Sequence, residues 1–197
     1  MITIYGDPIS GNCLKVKWTA ERLGIPFTWK NIDIMRGESR TPAFLAMNPA
    51  GQVPTVVLDD GRALAQSNAI ILHLAWSSAL IPADSFERAK MLEWMFWEQY
   101  SHEPTVAVAR FQMKYLGRRR EELDLELLER GDAALRRLEA GLAGRMYLAS
   151  DALTLADVAL VAYTRMAHDG GFRVADYPAT KAWVERVEAE LPIRDPR

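Results

Sequence analysis

A chain of 197 residues, 49 % hydrophobic and 25 % charged, can hold one large domain or two small ones and has the composition of a folded protein, which argues against disorder. Its net charge of −2 gives nucleic acid and anionic membranes no electrostatic purchase, so neither is expected as a partner. One cysteine, three scattered histidines and no apolar run near the roughly 18 residues of a membrane span argue against a disulfide, a metal cluster and insertion, and fit a reducing, cytoplasmic setting.

Residues 2–5 read as a buried strand. Cys13 to Leu23 carry apolar residues at helical spacing until Gly24-Ile25-Pro26 stops the helix. Phe27 to Ile32 read as a second strand, which completes a βαβ unit. A loop from Arg36 to Pro42 and a helical turn near Ala43 to Ala46 follow. Val53-Pro54 then falls where loop becomes strand, a place where proline is tolerated and a cis bond is compatible. Two short strands, Thr55 to Leu58 and Arg62 to Leu64, are joined by Asp59-Asp60-Gly61, whose Asp-Gly pair accepts the positive φ of a hairpin turn. A helix from Gln66 to about Trp76 closes a small α/β domain of thioredoxin-like order, residues 1–78.

Ile81-Pro82-Ala83-Asp84 reads as a linker, and residues 85–197 read as an all-helical domain. The fold class is therefore α+β at the N-terminus followed by α. Ser85 to Leu116 is one long pattern, interrupted at Glu103-Pro104, where proline removes a backbone donor and should bend the helix. Glu122 to Leu142, Thr154 to His168 and Ala179 to Leu191 supply three more helices. Arg118-Arg119-Arg120 runs at once into Glu121-Glu122 and reads as a solvated helix start. Thr154-Leu155-Ala156-Asp157 has the spacing of a capping box, with Leu153 and Val158 placed to form its hydrophobic staple.

Asn48-Pro49-Ala50-Gly51-Gln52-Val53-Pro54-Thr55, followed by Ala65-Gln66-Ser67-Asn68-Ala69-Ile70-Ile71, looks like half of a peptide-binding site. Around a cis bond the Val53 amide and carbonyl would turn outward and pair with an extended ligand backbone. At the helix start, Gln66 and Ser67 offer amides and a hydroxyl to a carboxylate. Together with Ile2-Thr3-Ile4-Tyr5-Gly6 and Ser10-Gly11-Asn12-Cys13-Leu14-Lys15-Val16, these residues resemble the glutathione transferases, in particular the serine-dependent theta-like and phi-like bacterial and plant types. The resemblance spans nearly the whole chain.

The resemblance implies glutathione as co-substrate, a hydrophobic electrophile as its partner in the reaction, and a homodimer; the alternatives are glutathione-dependent disulfide reduction or peroxidase chemistry, and a non-catalytic ligand-binding or assembly module that keeps the fold. It places Ser10 on the catalytic serine, at a helix start whose unpaired amides favour an anion. A free thiol has a pKa near ~8.5. A hydroxyl donating to the thiolate is worth about 1.5–3 kcal/mol, roughly one to two pKa units. Read without the family, Ser10 is a helix cap. Asn12 competes with it, since its amide can donate to the same sulfur. Tyr5 is where a tyrosine-dependent class would look, and here reads as core or wall.

Cys13 lacks the second cysteine of a redox motif and reads as a packed residue. Arg40 stands where the phi-type pattern has a basic residue for the glycine carboxylate, with Gln52 as a second contact. Gln66 replaces the usual glutamate, so the γ-glutamyl end would meet an uncharged acceptor beside Ser67. The electrophile is expected on the apolar face of the long helix, where Tyr100, Phe111 and Tyr115 stand with Trp94, Trp97, Val108 and Met113. Glu98, Gln99, His102, Glu103 and Arg110 are the polar candidates there.

Overall fold

The structure, a computed structural model, describes residues 1–193. Met1–Ser78 form one compact unit, and a second begins at Ala79. The first unit runs β1 (Ile2–Gly6), α1 (Gly11–Arg22), β2 (Phe27–Asn31), α2 (Pro42–Met47), β3 (Thr55–Val57), β4 (Ala63–Ala65) and α3 (Ser67–Leu74). Its sheet has the order β2-β1-β3-β4, with β1 parallel to β2, and β3 antiparallel to both β1 and β4. The fold is thioredoxin-like, as expected.

Alternation along β1 buries Ile2 and Ile4, while Thr3 and Tyr5 lie half-buried. Ile4 and Val56 pack with Cys13, Val16 and Trp18 of α1 and Ile70 and Ile71 of α3 among the most deeply buried residues of the unit. Each such large apolar side chain contributes about 1.5–3 kcal/mol by leaving water. The helix α1 starts two residues earlier than periodicity suggests, because extended Ser10 (φ −76, ψ 123) accepts from the Cys13 and Leu14 amides. The β3–β4 hairpin closes by Leu58 N–H to Arg62 O at 2.8 Å. Arg62 belongs to that turn and not to β4, since Asp60 accepts from both its amide and its Nε.

The second unit comprises α4 (Ser85–Trp97), a π-helical stretch (Glu98–Ala107), α5 (Val108–Lys114), α6 (Leu125–Leu142), α7 (Leu155–Thr164) and α8 (Pro178–Glu190). It is helical, as expected, with differences at the ends. Asp84, read as linker, caps α4 by accepting from the Phe86 and Glu87 amides. The interruption expected at Glu103-Pro104 takes the form of ten residues of wider helix. Pro104 offers no amide to the helix, and beside it the Thr105 hydroxyl donates to the Ser101 and His102 carbonyls at 2.8 and 3.0 Å. Asp124 caps α6, which therefore begins three residues after Glu122.

Every residue of α7 is buried, which makes it the central helix of its unit. The capping box at its start is present and larger than its spacing shows. Asp157 accepts from the Thr154 amide and hydroxyl at 2.9 and 2.8 Å, from the Leu148 amide at 3.0 Å and from the Trp183 ring N–H at 2.9 Å. Burial pushes its carboxyl above the ordinary carboxylate range, and those four donors hold it back.

Candidate functional site

The loop between β1 and α1 is shaped by Asp7. Its carboxylate accepts from the Ile9 amide at 2.9 Å, and its carbonyl accepts from the Ser10 amide at 3.2 Å. Its own amide donates to the Cys13 sulfur at 3.3 Å. Ser10 thus sits half-buried at the N-cap of α1, where the amides of the first turn create a positive field. Its side chain makes no cap hydrogen bond and interacts instead with the Cys13 sulfur. Cys13 is fully buried. Burial pushes its thiol from the ordinary 9.0 up to about 12, against the lowering effect of the Ser10 hydrogen bond. Cys13 is a packed residue that steadies the loop, and it is not a thiolate.

In the same first turn, Asn12 Oδ1 accepts from the Ser67 hydroxyl at 3.1 Å. That bond joins the starts of α1 and α3 across 55 residues of chain. A second link lies beneath it, where fully buried Lys15 approaches Asn68 Oδ1 at 3.4 Å. Gln66 immediately precedes α3 with φ 70 and ψ 111, the one described residue other than glycine with a positive φ. Backbone held in so sparsely populated a region concentrates at ligand sites. Gln66 is exposed and Ser67 buried, so the glutamine side chain faces solvent beside a fixed hydroxyl.

The Val53–Pro54 bond is cis. The registered pairs of β3 begin at Thr55, so the Val53 amide and carbonyl take no part in the ladder. Buried Asn48 builds this loop: Nδ2 donates to Gln52 O at 2.8 Å and to the Thr55 hydroxyl at 3.0 Å, and Oδ1 accepts from the Ala50 amide at 3.1 Å. The Gln52 side chain is exposed above it. Arg40, also exposed, lies over the same loop and donates from Nη1 to Ala50 O at 3.1 Å. Gly51 adopts φ 60 against that guanidinium, and a Cβ there would come within 2.6 Å of Nη1.

Two clusters of the named residues therefore form within the first unit: Ser10, Asn12, Gln66 and Ser67 at the helix starts, and Arg40 over the loop of Gln52, Val53 and Pro54. Asp7 lay outside the motifs, and Asn48 and Lys15 stood inside them without an assigned role. Only Asn48 carried a local signal, as an Asn-Pro turn former with a hydroxyl residue downstream.

The candidates for the second substrate lie in the second unit. Phe111 and Tyr115 stack at 5.0 Å with an interplanar angle of 27°. Tyr100 projects from the π-helical stretch and is 84 % exposed. Of the other aromatics, Trp94 and Trp97 meet edge to face at 5.2 Å beneath the Arg137 guanidinium. The polar candidates are largely structural. Fully buried His102 Nε2 is 3.0 Å from the Thr164 hydroxyl, Glu98 accepts from Gln99, and buried Arg110 pairs with Asp169 at 3.1 Å. Among the described residues no group of three or more His, Cys, Asp or Glu could hold a metal ion. No described helix is long and apolar enough to cross a membrane.

Comparison with known proteins agrees with this architecture. The family model for the glutathione S-transferase N-terminal domain matches residues 9–75, and that for the C-terminal domain matches residues 69–190. Glutathione S-transferase 3 of Zea mays is 32 % identical over 200 residues, covering 95 % of this chain and 89 % of the relative. A glutathione S-transferase structure from Pseudomonas fluorescens Pf-5 is 44 % identical with a TM-score of 0.92, covering 95 % of this chain and 94 % of that one. One from Xanthobacter autotrophicus Py2 is 43 % identical with a TM-score of 0.91, covering 96 % and 93 %. The chain belongs to the glutathione S-transferase family of enzymes.

Proposed function

We propose that the protein binds glutathione at the helix starts of its first unit and presents it as a thiolate to a hydrophobic electrophile, in the manner of the serine-dependent members of the family. The observation that carries this reading is the junction of Ser10, Asn12 and Ser67. It gathers two hydroxyls, an amide and the positive ends of two helices. Ser10 donates to the sulfur after its hydroxyl leaves the neutral Cys13 thiol, since a thiolate is the stronger acceptor. Arg40 and Gln52 hold the glycine end, Val53 at the cis Pro54 pairs with the ligand backbone, and Gln66 with Ser67 holds the γ-glutamyl end. Tyr100, Phe111 and Tyr115 supply the apolar contacts of the electrophile. The setting is cytoplasmic and the role detoxification.

Ultraviolet titration of bound glutathione tests the assignment. The parent protein should lower the thiol pKa, and Ser10→Ala should raise it by about one to two units and reduce kcat/KM about tenfold or more. Unchanged values in both Ser10→Ala and Asn12→Ala would remove both donors from the mechanism. A second reading, glutathione-dependent disulfide reduction or peroxidase chemistry, is favoured by the position of Asn12, held by Ser67 while Ser10 engages Cys13. Loss of reduction in Asn12→Ala with conjugation retained would select it. We also propose a homodimer, on the ground that Phe86 and Phe96 of α4 are each 72 % exposed.

A further inference from the structure

Ser67 opens α3 and is only 5 % exposed. Its hydroxyl reaches out of its own helix and donates to Asn12 Oδ1, in the first turn of α1, at 3.1 Å. The next residue of α3 carries a second tie between the same helices, since Asn68 Oδ1 lies 3.4 Å from the Nζ of fully buried Lys15. Two side-chain contacts on neighbouring residues thus hold the starts of α1 and α3 in one register.

A serine hydroxyl has one proton, and here Asn12 takes it. An ionised carboxylate has only acceptors, so the γ-glutamyl carboxylate finds its donors in the amides at the start of α3, which a helix leaves without intrahelical partners. The same bond fixes the Asn12 carboxamide. Oxygen and NH2 branch from one planar group, and a half-turn about Cβ–Cγ exchanges them. With Oδ1 committed to Ser67, the NH2 branch is turned away from that hydroxyl as a donor. The exchanged orientation would present a carbonyl oxygen in its place, which repels an anion.

We propose that Ser67 is a positioning residue, whose hydroxyl holds the Asn12 carboxamide in the orientation that offers its NH2 group to the sulfur of bound glutathione. The inference rests on the reading that the protein binds glutathione as a thiolate with Asn12 as one of its donors. It assigns the Ser67 hydroxyl to orientation and leaves the γ-glutamyl end to the Ser67 amide and Gln66. Ser10 and Asn12 then serve the sulfur together, one through a hydroxyl and the other through an amide.

Ultraviolet titration of the thiol at saturating glutathione, in the parent, S67A, S67T, N12A and S67A/N12A, tests the assignment. The two buried charged groups of the first unit, Asp7 and Lys15, are the same in every variant. N12A should raise the pKa of the bound thiol by about one unit, the lower end for a hydrogen bond to a charged group. S67A should raise it by about half a unit, S67T should keep the parent value, and S67A should add nothing in the N12A background. A hydroxyl that only held the γ-glutamyl end would instead raise KM, leave kcat and the thiol pKa of the saturated complex unchanged, and act alike with and without Asn12; that outcome overturns the proposal. An unshifted pKa in N12A overturns it as well, and if S10A still raises the pKa the thiolate reading stands without it. A parent protein that does not lower the thiol pKa removes both. In the ligand-free protein, the Asn12 side-chain NH2 resonances, identified by their loss in N12A, should shift in S67A, and resonances that stay in place would also overturn the assignment.

Discussion

At Cys13 the sulfur accepts from the Asp7 amide, lies wholly out of solvent and has its thiol pushed up to about 12. A cysteine in the first turn of a helix is a candidate for a depressed pKa, and desolvation reverses that tendency here. Native protein at pH 8 should therefore resist iodoacetamide and become alkylated only after denaturation, as read by mass spectrometry. Rapid alkylation of the native protein would contradict the burial. Ser10 was legible as a helix-start residue because capping is local, but its bond to Cys13 was not. Arg40 was legible as a loop cation, while its seat on Ala50 and Gly51 depends on a glycine ten or so residues away that leaves room for the guanidinium.

Helix α8 begins without a side-chain cap of its own, and α6 supplies one. Glu139 accepts from the Ala179 amide at 3.0 Å and from the Thr180 amide and hydroxyl, each at 2.8 Å. Partial burial works against its charge, but these three bonds outweigh it and hold the carboxyl below the usual range. A folded-state pKa lowered in this way contributes stability above the unfolded value of about 4.3, and the contribution is lost as pH falls through the folded value. Glu139→Gln should accordingly be less stable than the parent at pH 7 by about 1 kcal/mol, with the gap closing below about pH 4. Urea denaturation at pH 7 and pH 3 measures this, and a gap that stays constant would show that the charge is not involved. The π-helical stretch is the element that periodicity misjudged. Pro104 marks where the regular pattern fails, but spacing does not show that the failure extends over ten residues of wider helix.

For the molecule as a whole, the proposed homodimer makes a prediction. Phe86 and Phe96 stand near the two ends of α4, about three turns apart, and the helical unit leaves both in water. Light scattering coupled to size exclusion should give about twice the 22.2 kDa chain mass, and Phe96→Glu should shift the protein toward the monomer. A parent protein that elutes as a monomer at micromolar concentration would end the dimer proposal. The order of the elements was legible over nearly the full length, since strand alternation, helical spacing, turn formers and caps act over a few residues. So was the family, because its short motifs occur in the right order.

What the sequence determined by itself was therefore the succession of a thioredoxin-like sheet and a helical domain, together with the residue types placed at helix starts and turns. The tertiary structure decided which of those residues meet. Ser67 reaches Asn12 across 55 positions, Trp183 reaches Asp157 across 26 and Thr180 reaches Glu139 across 41. Each contact pairs one polar group with another that burial has removed from water, and no local pattern encodes which distant partner will satisfy it.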